Sequence, residues 1–230
     1  AKTISVTSPN DAESAKTLNP YMEKVKVAPS FIDPERFNTQ VDGSSIRMKH
    51  ARDSKMILFV GRLIPYKGLD VLLEAFRQVR GEMDAKLVIV GEGALIEPLK
   101  ENAVNMGLKE DVIFAGRVGE EELPKYYGAC DVFALPSVSR QEAFGLVLAE
   151  AMACGKPVVT TNFSGMPYVV GDAGLTVEPN EVNQLYSAIV KILVDEEKAR
   201  ELGRKGVERV EKLFTPQRVG ERILKAYNRV

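Results

Sequence analysis

A chain of 230 residues holds one large domain or two small ones, and 45% hydrophobic with 27% charged residues excludes disordered and collagen-like classes. Lys and Arg total 31 against 32 Asp and Glu, so nucleic acid is not an expected partner and any anion site has to be local. Two cysteines, Cys130 and Cys154, are too few for a disulfide framework or a four-ligand zinc site; no metal and a reducing, cytoplasmic setting are expected.

Residues 1–34 read as a strand (Ile4–Thr7), a helix (about Asp11–Leu18) and a strand (Val25–Ala28), closed by the Asp33-Pro34 turn. The opening AKTISVTSPNDAES lacks the blocks of a signal peptide, and it begins without Met, as a fragment or a processed chain does. Residues 38–54, NTQVDGSSIRMKHARDS, show almost no apolar periodicity and read as a surface loop or hinge, with His50 as a solvated residue in it.

Short uninterrupted apolar runs then follow at Met56–Val60, Lys86–Val90, Asp111–Ala115, Asp131–Leu135 and Pro157–Thr161, with a weaker one at Gly174–Val177. Such runs suit strands buried on both faces. Between them lie helical patterns: Leu69, Leu72, Leu73, Phe76 and Val79, then Ala94–Val104, Glu120–Tyr127, Phe144–Ala153, and Leu185, Ile189, Ile192 and Leu193. Strand and helix alternating over short connections predict an α/β, Rossmann-like parallel sheet of about six strands with helices on both faces. Thr215 and Pro216 open a last helix, Pro216–Arg229, with an apolar stripe of Val219, Ile223, Leu224 and Tyr227. No run approaches the ~18–20 apolar residues of a membrane span, so a soluble chain is expected.

Ligands of open parallel sheets sit beyond the carboxyl ends of the strands. The first run ends in FVGRLIPYKGLD, where Gly61 turns the chain and Arg62 and Lys67 flank the start of a helix. A guanidinium and an ammonium near helical N–H groups suit a diphosphate, although the spacing equally fits a solvated loop. VIVGEGAL holds Gly91 and Gly93 but has Ile96 where a dinucleotide fingerprint needs its third glycine, so a tight turn explains it better. In LPSVSRQEAFGLVLAE, Glu142 precedes a helix that contains Glu150, with Ser137, Ser139 and Gly145 around the turn. A carboxylate can accept both hydroxyls of a vicinal diol, and the N–H groups of Phe144–Leu146 open a helix toward an anion. Glu150 lies in an apolar helix, LVLAEAMA, and a buried carboxylate needs a partner. Cys130, Cys154, Tyr126, Tyr127 and Phe133 read as packing residues.

GRLIPYKG, VGEG, FAGRVGEEELPKYYGACDVFALPS, EAFGLVLAE with AMACGKPVVTT, and GMPYVV together resemble glycosyltransferase family 4 over about residues 20–230. The Glu-x7-Glu element, Glu142 to Glu150, is the most specific piece. The resemblance implies the C-terminal half of a GT-B fold, with residues 1–34 as the tail of an N-terminal domain and hinge, 35–214 as the nucleotide-sugar domain and 215–230 as a crossover helix. The hinge departs from the family's Pro-Asn-Gly-x-Asp turn, reading Pro29-Ser30-Phe31-Ile32-Asp33. Roughly 150–200 residues of a complete enzyme would precede this piece.

By the same resemblance, Arg62 and Lys67 would hold the donor diphosphate, Glu142 would face the sugar, and Glu150 would accept the ribose hydroxyls. Phe144, Gly145 and Leu146 would contribute backbone contacts; Gly116, Arg117 and Val118 would hold the base, and Gly61 would admit the donor. The implied reaction is metal-independent transfer of a hexose, with retention, from a UDP- or GDP-sugar to a glycan or lipid-linked glycan. No other cofactor is implied. The N-terminal acceptor domain is the implied partner, the only route to a membrane, and needed for turnover. A non-catalytic assembly or regulatory domain of this fold and a nucleotide-sugar epimerase are the alternatives.

Overall fold

The structure, a computed structural model, describes residues 2–227. The N-terminal segment holds β1 (Ile4–Val6), α1 (Pro9–Ser14), a 3-10 stretch over Lys16–Lys24 and β2 (Val25–Val27). β1 and β2 pair in parallel, Ile4 opposite Val25, apart from the main sheet. The helix found here starts earlier and ends at Ser14, because Ala15 (φ -86°, ψ 86°) leaves helical geometry, and the chain continues as 3-10 turns. Ser8 accepts from the Asp11 N–H and caps α1.

Next come α2 (Ser44–His50), β3 (Lys55–Val60), a 3-10 turn at Pro65–Lys67, α3 (Leu69–Glu82), β4 (Ala85–Val90), α4 (Ile96–Asn105), β5 (Val112–Gly116), α5 (Leu123–Ala129) and β6 (Val132–Leu135). After them lie α6 (Leu146–Ala153), β7 (Val158–Thr161), α7 (Met166–Val170), β8 (Gly174–Val177), α8 (Val182–Val194), α9 (Glu196–Leu213) and α10 (Pro216–Tyr227). All six predicted strands are present, and β3 to β8 form one parallel sheet in the order β5-β4-β3-β6-β7-β8. Met56, Ile57, Leu58 and Phe59 of β3 and Val132, Phe133, Ala134 and Leu135 of β6 are wholly buried, as central strands covered on both faces require. α3 packs with α4 and α8, and α6 with α5, α7 and α9, so each face has its own helical layer. The chain begins the sheet at its middle, walks out through β4 to β5, and returns to place β6 on the other side of β3. That reversal opens a crevice at the carboxyl ends of β3 and β6.

Three helices escaped the sequence pattern. Residues 38–54 are not simply a loop: α2 occupies their centre, with Ile46 buried and Arg47 bonded to Asp131 at 2.7 Å and to the Ala129 carbonyl at 3.1 Å. His50 is correspondingly not a solvated loop residue. It ends α2, half-buried, with Nε2 3.5 Å from the Tyr126 hydroxyl, and burial lowers its pKa, with help from Lys49. α9 buries Gly203 and Gly206 beside Leu202 and Val210, which leaves its apolar period sparse; a Cβ at Gly203 would stand 2.2 Å from the Gly155 carbonyl. α7 is only five residues long, too short for a period to register.

The last helix opens as expected, with the Thr215 hydroxyl accepting from Arg218 N–H at 3.4 Å. Its stripe is divided: Val219 is buried, while Ile223 and Leu224 are exposed. Ile223 and Ala226 face Ser5 and Ala28 across a cavity, so the two ends of the chain lie together. The Tyr227 side chain and residues 228–230 lie outside the described residues. No described helix is long and apolar enough to cross a membrane.

Candidate functional site

The crevice is built by three loops that bond backbone to backbone. Gly61 N–H donates to Val90 O at 3.0 Å and Leu63 N–H to Glu92 O at 2.9 Å, tying the loop after β3 to the loop after β4. Gly91 makes the approach possible: its φ is 134°, and a Cβ there would fall 1.9 Å from Gly61 O. Gly91 and Gly93 therefore serve a close turn rather than a dinucleotide fingerprint. On the other side, Val138 N–H donates to Tyr66 O at 2.8 Å, fixing the loop after β6 to the same segment.

Across this junction Lys67 Nζ pairs with Glu142 Oε2, and the Ser137 hydroxyl donates to that oxygen at 3.1 Å. Lys67 is 7% and Glu142 9% exposed, and Ser137 is fully buried, with its carbonyl accepting from the Thr161 hydroxyl. Glu142 is thus neither a solvated residue nor a simple first-turn acid. Arg62 lies exposed, its guanidinium 3.5 Å from the Tyr66 hydroxyl. With Gly61, Gly91, Arg117, Val118 and Leu123 it lines a cavity of about 440 Å³. A Cβ on Gly61 would stand 3.5 Å from Lys67 Nζ, so Gly61 joins the ion pair to the cavity.

The remaining candidates are distributed differently. Gly145, φ 75°, is the N-cap of α6 and Leu146, partly exposed, is its first residue. The Phe144 ring is buried edge-on against Phe214 at 5.5 Å, so only its backbone is available. Glu150 takes no part in the Lys67 pair; its Oε2 accepts from the Tyr127 hydroxyl at 2.7 Å. Burial pushes the Glu150 carboxyl up, while the Tyr127 bond and the Arg36 charge pull it down. Tyr127 is fully buried and its phenol is pushed well up, by burial and then by the Glu150 charge. The partner that Glu150 needed is therefore a tyrosine assigned from sequence only to packing. A core phenol also needs a hydrogen-bond partner, and the two needs match.

Tyr126, Tyr127 and Phe133 are otherwise core residues as expected. Cys130 and Cys154 are buried thiols, each pushed up to about 12 by burial, which makes them unreactive. A second cavity of about 570 Å³ is lined by Asp33, Asp42, Glu120 and Glu121 with Arg36 and Lys125, a charge balance unsuited to a diphosphate. No cluster of metal-ligating side chains occurs among the described residues.

The likenesses to known proteins bear on the family and the fold. The chain is 34% identical over 190 residues to the GDP-mannose-dependent alpha-(1-6)-phosphatidylinositol monomannoside mannosyltransferase of Mycobacterium tuberculosis, covering 78% of this chain and 49% of that protein. It superposes with TM-score 0.87 and 30% identity on sucrose-phosphate synthase from Thermosynechococcus elongatus, over 100% of this chain and 58% of that one. Anabaena HepE in complex with UDP gives a TM-score of 0.91 at 23% identity, over 100% of this chain and 64% of that one, a likeness of fold. The chain spans about half the length of the curated relatives it matches. Its sheet order and helical layers are those of a Rossmann-like domain of the GT-B glycosyltransferases. The profile of the family described as Glycosyl transferases group 1 matches residues 44–209, and the chain belongs to that family.

Proposed function

We propose that this chain is the donor-binding part of a retaining, family 4 glycosyltransferase that moves a hexose from a nucleoside-diphosphate sugar to a glycan or lipid-linked glycan. The observation that carries this is the Lys67–Glu142 pair at the sheet's reversal point, next to a cavity lined by Gly61, Arg62, Arg117 and Val118. A diphosphate entering there finds the Arg62 fork and the Lys67 ammonium within one loop. These two cations meet the charge that grows on the departing nucleotide, so transfer needs no divalent ion. Glu142, released from Lys67, turns to the sugar hydroxyls with the backbone of Phe144, Gly145 and Leu146. Glu150 takes the ribose, and Arg117 and Val118 hold the base.

A UDP- or GDP-linked donor is favoured because one relative is named as GDP-mannose-dependent and a structural neighbour is in complex with UDP. The phosphatidylinositol monomannoside in the name of that same relative supports a lipid-linked acceptor. Residues 1–34 belong to a preceding acceptor domain and hinge, 35–214 form the donor domain, and 215–230 cross back between them. The 230-residue chain alone then binds donor without turning it over.

Titration calorimetry of the chain with UDP, GDP, ADP and TDP tests this. Binding of UDP or GDP that weakens on Lys67→Ala supports it. No heat with any of the four at millimolar concentration overturns it.

A further inference from the structure

We infer that Tyr127 is a positioning residue for donor binding: its hydroxyl holds Oε2 of Glu150 and so fixes the carboxylate with both lone pairs of Oε1 free for the two hydroxyls of a ribose. This role rests on the donor assignment above and adds to it a residue outside the Glu-x7-Glu element.

Tyr127 cannot swing away from its partner. Its side chain is completely buried on α5, with the Phe37 ring edge-on at 5.8 Å and the Phe133 ring at 5.5 Å. The hydroxyl therefore points at one fixed place, and α6, packed on α5, puts the Glu150 carboxylate there. Because burial and the neighbouring carboxylate hold the phenol proton in place, Tyr127 keeps the proton it donates to Glu150. One lone pair of Oε2 is thus taken and the orientation of the carboxylate is set. Glu150 Oε1 takes no hydrogen bond among the described residues, and Glu150 is partly exposed. An sp² carboxylate oxygen has two lone-pair sites, enough for both hydroxyls of a vicinal diol.

The same bond opposes protonation of the acceptor. Around Glu150 stand Tyr127 from α5, Arg36 from the segment before α2, and Cys154 on its own helix. Burial favours the protonated acid, which gives up acceptor capacity; the Tyr127 hydroxyl and Arg36 oppose it. Arg36 stacks on Phe37 at 4.9 Å and Phe37 packs on Tyr127, so the cation and the phenol are held by one aromatic cluster.

The test is Tyr127→Phe in the 230-residue chain, which keeps the ring and its packing. Carbon-13 titration of the Glu150 carboxyl, assigned with Glu150→Gln, is expected to show a higher midpoint in the variant. Calorimetry with UDP and GDP is expected to show affinity weakened roughly three- to tenfold near pH 6, the net worth of one ordinary hydrogen bond. The loss should be smaller near pH 8, and inorganic pyrophosphate and 2′-deoxy-UDP should bind the two proteins more nearly alike. An unchanged carboxyl midpoint, or an equal loss for pyrophosphate, overturns the role of Tyr127. A raised midpoint in a chain whose wild type binds neither UDP nor GDP overturns the donor assignment instead, and with it the ribose as the ligand of Oε1.

Discussion

Lys67 and Glu142, 75 residues apart in sequence, form a buried ion pair between the loop after β3 and the loop after β6. The pair spans the point where the strand order reverses, so it fastens the two halves of the sheet at the mouth of the crevice. Removing one member leaves a desolvated charge; removing both does not. Lys67→Ala or Glu142→Ala alone should therefore cost about 3–5 kcal/mol of stability, while Lys67→Met with Glu142→Leu should be close to neutral. Urea unfolding of the three proteins checks this. The double variant should fold and still fail to bind a nucleoside diphosphate, which separates the pair's stabilising role from its proposed function.

Arg62 gives the opposite combination. It is exposed, and its one hydrogen bond is a long contact to Tyr66, so Arg62→Ala should leave stability within about 0.5 kcal/mol. Its guanidinium suits a diphosphate and has nothing to do with a nucleoside. The substitution should weaken UDP or GDP about tenfold or more and leave uridine or guanosine unchanged. Equal losses for nucleoside and diphosphate in calorimetry would remove Arg62 from the site.

Much of this fold is legible in sequence because its strands are covered on both faces. MILFV and DVFAL have no polar alternation to obscure them, and each becomes a wholly buried strand. Of the hidden helices, α7 is too short to show a period, and α2 and α9 bury few large apolar side chains. α2 is secured largely by Arg47 on Asp131, and α9 by glycines that touch backbone. The candidate site divides in the same way. Gly61, Arg62 and Lys67 are local in sequence, and Glu142 and Glu150 carry a spacing. The pairing of Lys67 with Glu142 and of Glu150 with Tyr127 depends on tertiary contacts that no period encodes.

Glu150 also sets a pH dependence. Its carboxyl is raised in the folded chain above its ordinary value of 4.5, chiefly by burial. The folded state therefore holds this proton more tightly than the unfolded state. Stability from this group is present below the unfolded carboxyl range and is lost as pH rises through the raised midpoint. Glu150→Gln removes the ionisation and keeps an acceptor for Tyr127. The variant should match the wild type in thermal unfolding near pH 4 and exceed it near pH 7, while binding nucleoside diphosphates more weakly. A wild type at least as stable as the variant at both pH values contradicts the burial of this charge.

Gly91 offers a test of the crevice that substitutes no charged group. It combines φ 134° with a Cβ position 1.9 Å from Gly61 O, so any side chain drives the loop after β4 from the loop after β3. The hydrogen bonds Gly61 N–H to Val90 O and Leu63 N–H to Glu92 O lie at the same junction and would be strained or broken with it. Gly91→Ala should cost about 2–4 kcal/mol, combining backbone strain with overpacking. Gly107, also at positive φ (74°) but with open space around it, is the control. Gly107→Ala carries only the backbone penalty, about 1–2 kcal/mol. In the Gly91 variant that remains folded, diphosphate affinity should fall as well, because Gly61 and Arg62 move with the displaced loop. In the Gly107 variant it should not.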